Sequence, residues 1–184
     1  MQKIFTRPAT AADAALVAEL GAVTFSETYF AHNTKEDMVK YLRENFTNKI
    51  IADEIEDTEN IYLLAYMDNE PAGYVKLVNN KKPEVDLPSD KLIELNRIYS
   101  LKKFIGKGIG KALMLACFET SKKIGREYLW LSVWQKNEAA IAFYTKFGFE
   151  IFGTHTFVLG TDAQEDWLMR KMVYNKPLSK ILNR

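Results

Sequence analysis

The chain has very few of the residues that build disulfides and metal centres. Its 184 residues include one cysteine and two histidines, His32 and His155. A single cysteine excludes a disulfide framework and a cysteine metal cluster. Two histidines far apart in sequence do not favour a zinc site either. We therefore expect no metal cofactor.

Long apolar runs and an excess of charge of one sign are missing as well. No run approaches the roughly 20 residues of a membrane-spanning helix, and the first residues lack the pattern of a signal peptide. The 25 basic and 24 acidic residues leave a net charge of +1, which does not favour binding to nucleic acid or to a membrane. With 47% hydrophobic and 27% charged residues, the composition predicts one globular domain in the cytoplasm.

One stretch of the chain has an unusual pattern. An apolar-rich run over residues 92–99 predicts a buried strand, and Gly106, Gly108 and Gly110 then open an amphipathic helix that we expect to end near Ile124. The first amides of a helix have no partner within the helix, and glycine lets the backbone approach a ligand closely. The stretch therefore predicts an anion site that takes a phosphate or pyrophosphate.

The spacing of the glycines excludes two common phosphate loops. A Walker loop needs four residues between its first glycine and its Gly-Lys pair, then Ser or Thr. Here Gly106 and Gly110 are closer than that, and Ala112 follows Lys111. A dinucleotide fingerprint needs a further glycine where this chain has Lys111. A plain strand-to-helix turn stays open at this point.

The glycine stretch resembles a known signature. Residues 106–113, Gly-Lys-Gly-Ile-Gly-Lys-Ala-Leu, are similar to the acyl-CoA signature of the GNAT superfamily of N-acetyltransferases, Gln/Arg-x-x-Gly-x-Gly/Ala. Gly108 and Gly110 fit it, whereas Ile105 stands at its Gln/Arg position. A second block, residues 137–149, resembles the family's Asn-x-x-Ala-x-x-Phe-Tyr-x-x-x-Gly-Phe segment. Two motifs in this order indicate the family strongly.

The rest of the chain agrees with the fold of that family. Apolar patterns predict the order β-α-α-β-β-β-α-β-α-β-β, with a further short helix near residues 48–56. The predicted strands span residues 2–7, 61–67, 72–78, 92–99, 128–134, 149–159 and 166–173. The resemblance implies an α/β (α+β) GNAT fold, in which helices flank a central mixed, largely antiparallel seven-stranded sheet. It covers residues 2–173 as a single domain, before a basic C-terminal tail over residues 174–184.

The resemblance also implies acetyl-CoA as co-substrate and two sets of residues that bind it. In that fold the strands ending near Tyr99 and Trp134 splay apart and admit the pantetheine arm. The arm is expected to pair with the main chain of Ile98, Tyr99 and Ser100. The pyrophosphate is expected on the glycine turn and the start of the helix: Gly106, Lys107, Gly108, Ile109, Gly110 and Lys111.

Two further residues are implied by their places in the second motif. Asn137 matches the residue that contacts the pantetheine arm. Tyr144, seven positions later, matches the family's general-acid tyrosine, which borders the cofactor and gives a proton to the leaving thiolate. A core aromatic beside Phe143 and Phe147 is the alternative interpretation of Tyr144.

The general base is sought in the strand before the glycines. Glu94 lies in that apolar strand, where an acid needs either a partner or a use. In related enzymes a glutamate in this strand takes the ammonium proton, often through water. A structural ion pair with Arg97 or a lysine is the other interpretation. Cys117 has the apolar spacing of its helix, so we expect a buried thiol and direct acetyl transfer.

Residues 24–32 are aromatic where a surface connection would be polar. This stretch is either a lid over the core or a wall of the substrate site. A polyamine needs acids and aromatic faces around its ammonium groups. We expect Glu27, Tyr29 and His32 to contact the amine, with Glu36 and Asp37 as further acids.

Within the family the chain looks most similar to the PaiA type, which acetylates spermidine and spermine. Residues 25–29, His32, the strand at 94–99 and residues 131–134 carry this resemblance. It implies transfer of acetyl to a primary amine of a polyamine within a ternary complex, without direct contact to nucleic acid or membrane. The alternatives are a protein or peptide N-terminal acetyltransferase, one for another small amine, and a regulatory CoA-binding protein with little turnover. The oligomeric state stays open, a homodimer included.

Overall fold

The computed structural model describes residues 2–159 and 162–173, and it contains the predicted seven strands. The strands are β1 (Ile4–Pro8), β2 (Asn60–Met67), β3 (Glu70–Asn79), β4 (Leu92–Ser100), β5 (Tyr128–Trp134), β6 (Glu150–Leu159) and β7 (Asp162–Met172). The helices are α1 (Ala14–Tyr29), α2 (Lys35–Asn45), α3 (Asn48–Glu56), α4 (Ile109–Lys123) and α5 (Glu138–Lys146). The short helix predicted near residues 48–56 is α3, so three helices precede β2. The predicted tail over residues 174–184 lies outside the described residues.

The seven strands form one sheet in the order β1-β2-β3-β4-β5-β7-β6. Neighbours run antiparallel except β4 and β5, which are parallel. β4 and β5 pair from Leu92 opposite Tyr128 to Glu94 opposite Trp130 and diverge beyond that point. The expected mixed, largely antiparallel sheet is thereby confirmed, together with its open seam.

Helix α1 extends through most of the aromatic stretch. Asp13 accepts a hydrogen bond from the Thr10 amide at 2.8 Å, and a 3-10 turn precedes the α-helix. The helix continues to Tyr29. The hydroxyl of Thr28 bonds back to the Thr24 carbonyl at 2.8 Å, so this polar residue fits inside the helix. Residues 24–29 are therefore helical and not a surface connection.

A tight hairpin joins β2 and β3. Its two turn residues, Asp68 and Asn69, have φ of 50° and 68°, as the left-handed turns that suit β-hairpins require. Strand β7 begins at Asp162, four residues before the predicted start at residue 166. Its early residues are polar, and their pairing with β6 (for example Gln164 opposite Phe157) forms the extra length.

Helices cover the two faces of the sheet unequally. On one face, which we name the cofactor face, α4 and α5 pack on the central strands through a core that contains Leu95, Leu113 and Tyr144. On the other, the amine face, α1, α2 and α3 pack mainly over β2, β3 and β4, around residues such as Phe25 and Tyr74. These three helices leave the part of the amine face formed by β5, β7 and β6 largely uncovered. In the described part of the chain, no helix is long and apolar enough to cross a membrane.

Candidate active site

A cleft of about 530 Å³ lies where β4 and β5 diverge. Main-chain groups on the facing edges of the two strands do not pair with one another beyond Glu94. An extended chain with amide groups can therefore pair with such an edge, as peptides do when they add to a sheet. The strand residues expected to meet the pantetheine arm, Ile98, Tyr99 and Ser100, line this cleft.

A bulge in β4 decides which side chains enter the cleft. Asn96 has no opposite residue on β3, because the paired positions step from Arg97 directly to Leu95. Leu95 and Ile98 are three residues apart and yet both pack toward the cofactor face. A regular strand would place them on opposite faces, since its side chains alternate. With Leu95 and Ile98 on the cofactor face, Glu94 and Arg97 are both directed to the amine face.

The glycine turn after β4 is open to a ligand. Gly106 and Gly108 have φ of 79° and 94°, a region that side chains with a Cβ rarely adopt. A Cβ at Gly106 would have no heavy atom within 4 Å, so this part of the turn borders open space. Gly108 caps α4, whose first bond runs from the Ala112 amide to the Gly108 carbonyl at 3.0 Å. The amides of residues 109–111 precede that bond and suit a pyrophosphate.

Ile105 stands beside the turn and lines the cleft with a side chain that is 68% exposed. This is the position where the family signature has Gln or Arg. The main-chain turn is present without that side chain. Lys107 and Lys111 extend from the same turn and helix start.

Tyr144 belongs both to the core and to the cleft. Its ring packs against Phe143 and Phe149, with centroid distances of 5.5 and 5.7 Å, and it also lines the cleft. Burial raises the pKa of the Tyr144 phenol above its usual value. The phenol therefore stays protonated at neutral pH, as a proton donor to a leaving thiolate must. The two interpretations of this residue do not exclude each other.

Asn137 and Tyr29 line the same cleft as Tyr144. The Asn137 side chain accepts a hydrogen bond from the Ala140 amide at 3.2 Å and caps α5. Burial raises the pKa of Tyr29, and hydrogen bonds with Tyr99 and Asn137 act against that rise. Tyr29 thus connects the end of α1 to β4 and to the start of α5 across the cleft.

The aromatic stretch forms one wall of the cleft. The ring of Phe25 lies 4.6 Å from that of Tyr29 and 4.3 Å from that of Tyr41, and all three residues line the cleft. Phe25 is also a buried member of the core on the amine face. The aromatic stretch therefore covers the core and forms a wall of the cleft at the same time.

Glu94 lies at the last paired position before the strands diverge and lines the cleft. Burial raises the pKa of its carboxyl, and a hydrogen bond from Asn96 at 3.3 Å opposes the rise. A raised pKa makes the carboxylate a stronger base near neutral pH. Arg97, the partner that an ion-pair interpretation offers, is 3.3 Å from Glu54 instead.

Arg97 is part of a charged network at the wall of the cleft. Its guanidinium donates to the Tyr62 hydroxyl and to the Asn45 side-chain oxygen, each at 3.3 Å, and lies 4.8 Å from the centre of the Phe46 ring. Lys76 donates to Glu54 at 2.6 Å. The network connects α2 and α3 to the sheet, so we assign it to positioning the cleft wall.

A second carboxylate, Asp166, lines the cleft and was not among the predicted site residues. Asp166 on β7 is 8% exposed, and its Oδ2 accepts a hydrogen bond from the Ser132 hydroxyl at 2.6 Å. Its cross-strand neighbours are Trp134 and His155, which also line the cleft. An acid at the edge of an apolar run was the available signal, the same one that drew attention to Glu94.

The three residues expected to contact the amine have different places. Tyr29 lines the cleft. Glu27 accepts a hydrogen bond from the Lys102 amide at 2.9 Å and lies outside the residues that line the cleft. His32 ends a 3-10 turn after α1, and its side chain is not among those described. Of the two further acids, Glu36 lines a separate surface groove and Asp37 bonds the Thr34 cap.

Cys117 lies in the core under α4, fully buried, and burial raises its thiol pKa. A buried thiol with a raised pKa is a poor nucleophile. Among the described residues, no group of three or more His, Cys, Asp or Glu side chains could hold a metal ion.

The diverging strands β4 and β5 offer a free edge with which the amide groups of an acyl-CoA can pair. The unpaired amides at the start of α4 beside them can bind its pyrophosphate. This arrangement defines an acyl-CoA-dependent acyltransferase. The chain belongs to the Acetyltransferase (GNAT) family, whose sequence model matches residues 24–149. It is an acetyl-CoA-dependent N-acetyltransferase, and acetyl-CoA is its co-substrate.

Known proteins of similar sequence and structure agree with this family. An uncharacterized N-acetyltransferase of the pepI 3′ region in Lactobacillus delbrueckii subsp. lactis is 38% identical over 153 residues, 80% of this chain and 85% of the relative. Spermidine N(1)-acetyltransferase of Thermoplasma acidophilum is 26% identical over 142 residues, 74% of this chain and 81% of the relative. The crystal structure of PaiA N-acetyltransferase from Thermoplasma acidophilum with coenzyme A has a TM-score of 0.75 at 24% identity, covering 92% of this chain and 99% of that one. This last likeness shows the fold.

Proposed function

We propose that the chain acetylates a primary amine of a polyamine such as spermidine or spermine, by direct attack on acetyl-CoA in a ternary complex. The observation that carries the proposal is Glu94, a half-buried carboxylate at the point where the cofactor seam opens. An amine that reaches the seam meets this base beside aromatic rings. The similarity to a spermidine N(1)-acetyltransferase supports the choice of a polyamine.

Glu94 starts the reaction by removing a proton from the substrate ammonium, directly or through a water molecule. This step is needed because a free alkylammonium has a pKa of about 10.4 and carries no lone pair for attack. The new N–C bond forms as the amine adds to the acetyl carbonyl. Main-chain groups at the open edge of β4 are suited to stabilise the developing oxyanion.

Tyr144 completes the reaction by giving its proton to the sulfur as the C–S bond breaks. One of the two protons lost by the ammonium thus ends on the CoA thiol in net terms, and the other is released to solvent. The phenol and the carboxylate return to their starting states. Burial of Tyr144 supports this role, since the raised pKa keeps the phenol protonated at neutral pH.

Direct transfer predicts a specific kinetic pattern. Initial velocities measured at several concentrations of both substrates are expected to give intersecting double-reciprocal lines. Parallel lines, the pattern of a covalent acetyl-enzyme, would contradict direct attack. Cys117 is the only thiol in the sequence, and its full burial supports the intersecting pattern.

Turnover of acetyl-CoA over a panel of amines tests the substrate. The panel contains spermidine, spermine, simple alkylamines, amino acids, and peptides with free N-termini or lysines. We expect the polyamines to have the highest kcat/KM. Acetylation confined to peptides would refute the polyamine assignment. Thermal stabilisation by CoA without turnover of any amine would favour the regulatory alternative.

A further inference from the structure

The second carboxylate of the cleft, Asp166, is buried with few polar partners among the described residues. Its one hydrogen bond within the described residues comes from a neutral hydroxyl, that of Ser132. In the same part of the chain no lysine or arginine forms an ion pair with it. The imidazole of His155 lies 3.2 Å from the carboxylate of Glu84. A buried carboxylate without a cation is costly, so this position is complementary to a positively charged ligand.

The surroundings of Asp166 suit an ammonium group. Burial raises the pKa of this carboxyl, and the Ser132 hydrogen bond and His155 act against the rise. A bound cation would hold it ionised. The ring of Tyr29 is close enough for an electrostatic interaction with Asp166, and Trp134 is its cross-strand neighbour. Aromatic faces attract ammonium groups, so charge and rings act together here.

The separation of Glu94 and Asp166 suits the distance between the terminal nitrogens of a polyamine. Glu94 stands opposite Trp130 and Asp166 opposite Trp134, so the two positions are four residues apart along β5. At about 3.3 Å per residue this is roughly 13 Å along the strand. Because β4 and β7 flank β5 on opposite sides, two strand spacings add roughly 10 Å across the sheet, so the two backbone positions are roughly 16 Å apart. An extended chain of single bonds advances about 3.5 Å per three bonds, so the nine bonds between the terminal nitrogens of spermidine span roughly 11 Å. Hydrogen bonds of about 2.8 Å at each end extend this reach to roughly 17 Å, and both carboxylates line the same cleft.

We infer that Asp166 binds the non-reacting ammonium group of the substrate while the reacting amine lies at Glu94. The inference rests on the proposed function and deepens it. Asp166 then determines specificity: it selects amines that carry a second positive charge at the right distance.

Kinetics of charge-matched variants test this inference. The variant is Asp166→Asn, and the control is Glu165→Gln, which removes the same charge from an exposed neighbour that bonds the Thr156 hydroxyl. The substrates are α,ω-diamines from 1,3-diaminopropane to 1,8-diaminooctane, spermidine, and the n-alkylamine of each length. We expect Asp166→Asn to raise KM for spermidine and the longer diamines about tenfold or more, with KM for n-alkylamines changed less than about twofold. Glu165→Gln should leave both classes within about twofold.

A purely structural role for Asp166 would reduce turnover of diamines and monoamines alike, and that result would overturn the inference. So would a wild-type enzyme that treats each diamine like its matched monoamine, even if it acetylates spermidine. If the proposed function itself is wrong, the wild-type enzyme will not acetylate polyamines at all, which is a different result from either of these.

A second variant keeps the test decisive if Asp166→Asn does not fold. Asp166→Glu retains the charge and moves it inward by one methylene. It should keep the preference for diamines and shift the preferred spacer to a shorter one. An unchanged spacer preference would place the second ammonium elsewhere.

Discussion

The two halves of the cleft are built in different ways. The cofactor half consists mainly of main chain from one continuous stretch, β4 beyond Glu94, the glycine turn and the start of α4. The amine half consists of side chains from α1, α2, β4, β5, β6 and β7, which meet only in the folded sheet. A main-chain site tolerates many side chains, as Ile105 shows at a signature position. A side-chain site changes its ligand with single substitutions.

Tyr144→Phe tests the point where the two halves meet and should have the largest effect. Loss of the phenolic proton is expected to lower kcat on the order of 10³-fold, because the thiolate then leaves without a positioned acid. The ring stays in the core, so acetyl-CoA binding should change by no more than a few fold. Turnover measured beside thermal shift with CoA separates the two quantities. Undiminished turnover would remove Tyr144 from the mechanism.

Glu94→Gln should lower kcat/KM on the order of 10²-fold, somewhat less because water can partly replace the base. The wild-type rate should rise with pH through the raised pKa of Glu94, since only the ionised carboxylate accepts a proton. The rate should fall as pH drops below that pKa. The variant is expected to lose this acidic limb of the pH profile. A profile with the limb intact would assign the limb to another group.

Gly108→Ala should act on the cofactor half alone and have the smallest effect. The alanine must adopt φ near 94°, which costs about 1–2 kcal/mol. We expect KM for acetyl-CoA to rise roughly tenfold while the ranking of amines stays the same. Gly125→Ala is the matched control, because Gly125 has φ of 72° at the far end of α4. A changed amine ranking in Gly108→Ala would show that the halves are not independent.

The cofactor half could be predicted from the sequence because its determinants are local. One motif is three glycines after an apolar strand, and the other is an asparagine seven residues before a tyrosine. Both can be recognised without knowing what packs against them. The mixed, largely antiparallel sheet followed from the resemblance carried by these local motifs.

The amine half was harder to predict because it depends on distant contacts. Asp166 enters the cleft only through the register of β7 against β5, and nothing near it in sequence reports that register. Glu27 is an acid beside aromatic residues in the sequence, as a polyamine contact would be. In the folded chain it accepts a hydrogen bond from the Lys102 amide instead. The four extra residues at the start of β7 gain their strand conformation from β6, not from an apolar pattern.

The seam between β4 and β5 has a consequence for the lifetime of the protein. Three residue pairs join the strands there, and a bound thioester carrier would add the hydrogen bonds that the diverging edges do not make with each other. A ligand that binds only the folded state stabilises it by RT ln(1 + [L]/Kd). Resistance of the chain to unfolding, and hence to proteolysis, should therefore follow the acetyl-CoA concentration around it, so that abundance of the enzyme reports the supply of its own co-substrate.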